Sequence, residues 1–166
     1  MAFTTVAAFL EEWKDESAGT ERILRTLTDA SLGARIGPQE RTLGRMAWHV
    51  VGTIPEMMNR TGLGLEALPE KPPAKAAAMA DAYAAASAGL VAALQSKWKD
   101  ATLAQVDDMY GQRWNRAFTL RCLISHQIHH RGQMTVLMRQ AGLKVPGYYG
   151  PAREEWAAMG APVPEV

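Results

Sequence analysis

Three of the four histidines in this chain fall within one short stretch, LISHQIHHRGQM, spanning Leu123 to Met134, and the fourth is His49. Imidazole binds zinc, nickel, copper and iron in its neutral form, and does acid–base work near neutral pH. On a helix, His126 and His130 differ by about 40° around the axis and by about 6 Å along it. Both rings can therefore converge on one ion. His126 and His129 form an i, i+3 pair that can chelate as well, so spacing leaves the choice of pair open. His49 lies far upstream, where a ligand from a facing helix would come from. Three neutral imidazoles with one position left over describe a catalytic rather than a structural type of zinc site.

Other polar residues near these positions bear on the chemistry. Cys122 precedes His126 by one turn, but it is eight residues and about 12 Å of helix from His130. It reads as a small buried hydrophobe. A zincin would place Glu directly after the first histidine; this chain has Gln127. The nearest candidate carboxylate is Glu56, seven residues after His49, which reads more readily as a solvated charge at a helix end. Arg131 and Gln133 stand beside the histidines, Arg131 either near the site or in a surface salt bridge. With no clear general base, hydrolysis does not follow from these residues. The stripe Thr119–Cys122–His126–His130–Gln133–Leu137 mixes polar and apolar groups as the wall of a cavity would.

Long helices must position these groups. The first is expected from about Thr4 to Ala30, weakened at Gly19, and is closed by SLGARIGPQE. Thr42 is a plausible N-cap for a second helix through about Arg60, with Pro55 kinking it or adjusting its last turn. GLGLEALPEKPP is a connector, and Pro72 and Pro73 suit the start of an alanine-rich third helix ending near Trp98. A looser region, Lys99 to Trp114, precedes a fourth helix from about Asn115 to Gln140, with Gly142 past its end as C-cap. The tail GYYGP and beyond reads as packed coil with one short helix. No strand-like alternation competes, so the expected fold is all-α: a four-helix bundle in a single domain, residues 1–166.

Composition excludes several classes. The balance of 18 Lys+Arg against 17 Asp+Glu argues against nucleic-acid and anionic-membrane partners. A single cysteine permits no intrachain disulfide. The N-terminus lacks a basic leader, and no run of about 18 uninterrupted apolar residues is present. The expectation is a cytoplasmic protein.

HQIHHRGQM followed by LMRQAGLKVPGYYGP resembles the fourth-helix signature of the DinB family, and RTLGRMAWHV resembles that family's second helix. The resemblance implies a bundle with up-down-down-up connection, often a homodimer. It also implies a divalent metal, zinc or nickel, held by His49, His126 and His130, with His129 outside the ligand set. The activity implied is metal-dependent thiol S-transfer or a related detoxification, using a low-molecular-weight thiol cosubstrate and a small-molecule electrophile. That chemistry requires neither a protein nucleophile nor a strong base. The alternative is a non-catalytic metal-binding or stress-response interaction protein in which the ion is structural. Such a site would be closed by a fourth ligand, Glu56 or His129.

Overall fold

The computed structural model describes residues 2–165, so positions 1 and 166 of the expected domain lie outside the described residues. Four helices carry the chain: α1 (Val6–Thr26), α2 (Leu43–Asn59), α3 (Ala76–Lys97) and α4 (Arg116–Gln140). Each of α1 and α2 packs against both α3 and α4. The cross-helix bonds give their directions. Trp13 pairs with Ser87 and Arg25 with Asp81, so α1 and α3 are antiparallel. Glu12 meets Arg121 and Glu16 meets Arg131, so α1 and α4 are parallel. His49 lies beside His126 and the Thr61 carbonyl accepts from Arg116, so α2 and α4 are antiparallel. The Lys97 ammonium reaches the Leu63 carbonyl, joining the C-terminal ends of α3 and α2. The bundle is therefore up-down-down-up.

Local sequence explains most boundaries. Thr5, Thr42 and Asn115 each accept a backbone N–H three residues ahead, as N-caps do. Gly142, at φ +75°, ends α4 in the left-handed conformation that glycine tolerates. The helix α2 continues through Pro55, and the adjustment comes after it, where Thr61 and Gly62 donate to carbonyls only three residues back. Two boundaries differ from expectation. The helix α1 stops at Thr26 because Thr28 and Ser31 exchange side-chain and backbone bonds that open a 3-10 turn, Asp29–Gly33. The helix α3 starts at Ala76, after the prolines, because its cap is not local: Asp29 accepts from the Ala76 N–H at 2.9 Å and from the Lys75 ammonium at 2.8 Å.

The region expected to be loose contains an antiparallel hairpin, β1 (Val106–Met109) and β2 (Gln112–Asn115). Its two-residue loop, Tyr110-Gly111, has φ of +59° and +78°. Positive φ at both positions is the type I′ geometry that suits a two-residue hairpin. Arg116, the first residue of α4, donates twice to Asp107 and once to the Thr61 carbonyl, tying the hairpin to α4 and to the end of α2. By length and composition α3 would suffice to cross a membrane; here it lies against α1 and α2.

The core holds Phe9, Trp13, Leu24, Ile54, Met58 and Tyr83. A polar chain crosses it. The Tyr83 hydroxyl donates to the Gln127 side-chain carbonyl at 3.2 Å, and the Gln127 amide donates to the Val50 carbonyl at 3.1 Å. These bonds fix the register of α4 on α2 one residue from His49 and from His126.

Gly19 is a docking position more than a weak point in α1. A Cβ there would come within 2.6 Å of the Tyr148 ring, which the C-terminal segment lays against α1. Gly19→Ala gains about 1 kcal/mol of helix propensity but loses about 1–3 kcal/mol by overpacking. Net destabilisation in urea melts is expected. In a Tyr148→Ala background the same change should stabilise.

Candidate metal centre

His49 from α2 and His126 and His130 from α4 meet through their Nε2 atoms. His126 Nε2 lies 3.1 Å from His49 Nε2 and 3.1 Å from His130 Nε2. All three ligand atoms fall within 4.8 Å of one another, and the cluster could hold a metal. Bonds of about 2.0–2.1 Å at tetrahedral angles put imidazole nitrogens roughly 3.3 Å apart, close to the two separations at His126.

The tautomers are constrained. His130 Nδ1 donates to the Gln133 side-chain carbonyl at 2.7 Å, so its Nε2 presents a lone pair to the centre. Between neutral rings, one N–H on His126 Nε2 would satisfy only one of its two neighbours, leaving lone pairs opposed. His126 Nδ1 is buried with no hydrogen-bond partner. A cation at the convergence point relieves the opposition, and on this chemistry the donor set fits a divalent metal. Burial, aided by the neighbouring imidazoles, pushes His126 down to about 4. Burial also lowers His49, with help from His130, Arg41 and Arg45, and lowers His130. All three rings are thus held neutral near pH 7, the state a metal ligand requires.

A cavity of about 770 Å³ opens on this cluster, with His49 and His126 in its wall. Its sides come from Trp48, Leu68, Pro69, Tyr110 and Trp114. On the other side, His130 and Gln133 line a second, smaller hollow of about 420 Å³ with Arg41 and Leu137.

The other candidate residues fall as follows. His129 is exposed, its ring packed edge-on against His130 and turned out of the cluster. Glu56 lines the cavity, but its carboxylate accepts from Arg60 Nε at 2.8 Å and from the Tyr110 hydroxyl at 2.6 Å. Cys122 is only half-buried and also lines the cavity, which corrects its reading as a buried hydrophobe. Burial raises its thiol, keeping it protonated. Arg131 belongs neither to the site nor to a surface pair. It is buried against α1, bonded to the Glu16 carboxylate and carbonyl and to the Tyr149 hydroxyl. Tyr148 and Tyr149 line a separate hollow with Glu12 and Arg22 and do not border the histidine cavity.

Sequence reasoning did not find Tyr110 and Trp114, because both arrive on the hairpin. The available signal was Tyr-Gly at the centre of VDDMYGQRWN, a turn dipeptide between two short extended runs.

Comparison with known proteins agrees with the fold. The DinB family profile matches residues 1–165. The chain is 46% identical over 166 residues to the uncharacterized protein YrdA of Bacillus subtilis (strain 168), covering 99% of each. A crystal structure of a DinB-like protein from Bacillus cereus ATCC 10987 is 45% identical, with a TM-score of 0.84 over 89% of this chain and 99% of that one. A second DinB-like protein, YjoA of Bacillus subtilis, shares the fold at 16% identity, with a TM-score of 0.69 over 85% of this chain and 97% of its own. With the profile spanning nearly every residue and a relative of this identity aligned end to end, the chain belongs to the DinB family.

Proposed function

We propose that this protein binds one divalent metal through His49, His126 and His130 and acts as a metal-dependent thiol S-transferase or a related detoxification enzyme. The observation that carries the reading is the convergence of three neutral Nε2 atoms at the wall of a large cavity. When bound, the ion supplies Lewis acidity that holds a sulfur as thiolate and orients it. The chain's residues do the rest. Gln133 fixes the His130 ring, the core chain through Gln127 fixes His126 against His49, and the aromatic walls exclude water. Transfer joins the sulfur of a low-molecular-weight thiol to an electrophilic carbon, the thiol proton passing to solvent and the leaving group departing with its electron pair.

The structural-ion alternative needs a fourth protein ligand. Glu56 is occupied by Arg60 and Tyr110, and His129 is exposed. Neither belongs to the cluster of converging atoms. A fourth position left to exogenous ligand favours catalysis. Zinc and nickel both suit three imidazoles. A homodimer is part of the proposal: the outer face of α4 exposes Phe118, Ile128 and Val136.

Elemental mass spectrometry on protein purified without a histidine tag tests the metal. About one zinc or nickel per chain is expected in the wild type, with near-complete loss in His49→Ala and His130→Ala. A wild type that stays empty after incubation with either metal removes the proposal. Thiol consumption with model electrophiles then tests the transfer.

A further inference from the structure

Six of the twelve arginines of this chain are neutralised. Arg25, Arg60, Arg116, Arg121, Arg131 and Arg139 each hold a carboxylate. Arg45 differs. It lines the cavity from the first turn of α2, one helical turn before His49. Among the described residues no carboxylate bonds it. Its guanidinium makes one long bond, Nη1 to the backbone carbonyl of Glu70 at 3.4 Å. Five N–H donors in a planar fork match a carboxylate better than a lone carbonyl does.

Two acids line the cavity: Glu70 meets Arg45 only through its backbone carbonyl, and Glu56, about three turns further along α2, is already taken. Glu56 is held by Arg60 and by the Tyr110 hydroxyl, whose ring also lies under the Arg60 guanidinium at 4.3 Å. That clasp occupies Glu56, about 16 Å of helix away from Arg45. Holding it has a cost. Tyr110 is the one non-glycine among the described residues with positive φ, in a loop position that Asn or Gly fills more easily. Between the clasp and Arg45 the walls are apolar and aromatic: Trp48, Met57, Leu68 and Trp114. The volume, about 770 Å³, is that of a site for a small organic molecule.

We propose that this cavity takes a ligand with an aryl-sized apolar body and a carboxylate, Arg45 receiving the carboxylate while the body lies between Trp48 and Trp114. This rests on the cavity being the substrate site of the proposed enzyme. The substrate class it names is a carboxylated, largely apolar small molecule.

The test uses a matched pair of probes without sulfur, 4-ethylbenzoate and 4-ethylbenzamide, titrated calorimetrically at pH 7 into metal-free and zinc-incubated protein. The wild type should bind the benzoate about tenfold more tightly than the amide, the effect of one charge-assisted pair. Arg45→Gln should abolish that preference and Arg45→Lys should keep part of it. Arg113→Gln, outside the cavity, should leave it intact. Equal or absent binding of the two probes to the wild type, or a preference that survives in Arg45→Gln, overturns the proposal. Zinc content measured on the same samples separates the two readings. Protein that takes no zinc yet prefers the benzoate keeps the carboxylate site and loses the metal enzyme; protein that takes zinc without the preference does the reverse.

Discussion

Replacing Arg131 by methionine is expected to destabilise the fold by about 3–5 kcal/mol, the usual cost of stripping one partner from a buried ion pair. Arg131 and Glu16 are both almost fully buried where α4 crosses α1. The guanidinium also donates to the Glu16 carbonyl at 2.6 Å, and the Tyr149 hydroxyl donates to Glu16 Oε1 at 2.5 Å. The Tyr148 ring covers the guanidinium with its face, 4.6 Å from the centroid. Losing the arginine therefore leaves a carboxylate in a low-dielectric pocket and frees the C-terminal segment at the same stroke. Against a typical total stability of about 5–15 kcal/mol, the melting temperature should fall by roughly 6–20 °C. The double variant Arg131→Met with Glu16→Leu should recover most of the loss, since a packed apolar pair avoids desolvating either charge. If the single and double variants melt together, the ion pair is not the source of the stability.

How much of this was readable beforehand depends on the range of each interaction. The i, i+4 histidines, the caps Thr42 and Gly142 and the start of α4 near Asn115 were legible because they obey short-range geometry that sequence spacing records. His49 stood as a candidate third ligand from a facing helix, the choice of His126 and His130 over His129 came from the family likeness, and the structure brings these three together. The cap of α3 was not legible: Asp29 sits 47 residues from the N–H it satisfies. Gly19 looked like a weak helix position because its reason for being glycine is a tyrosine 129 residues later, in the tail. Arg131 shares a stretch with the ligands, yet α4 turns about 100° per residue. One residue after His130, it therefore faces α1 and Glu16 instead of the cavity. The walls of the cavity were hidden for a similar reason, since they come from a four-residue-stranded hairpin and a proline-punctuated connector with little periodicity to read.

His126→Leu is expected to change sign with metal. In chelator-treated protein the wild type holds a half-buried imidazole whose Nδ1 has no partner and whose Nε2 faces two others at 3.1 Å. An unsatisfied buried polar atom costs about 1–3 kcal/mol, so leucine, similar in bulk and apolar, should leave the metal-free fold as stable as the wild type or more so. With zinc in the buffer the order should invert. An ion that binds only the native state adds about 4 kcal/mol at a thousand times its dissociation constant, and a variant with two imidazoles forfeits most of that. Urea melts of both proteins, with chelator and with zinc, give four curves that decide the matter. Crossing of wild type and variant between the two conditions is the signature of a site whose polar strain is resolved by a cation. A His126→Leu variant that is equally destabilised in both conditions would make the triad a structural polar cluster, with its three rings contributing to packing and the cavity beside them carrying no metal chemistry.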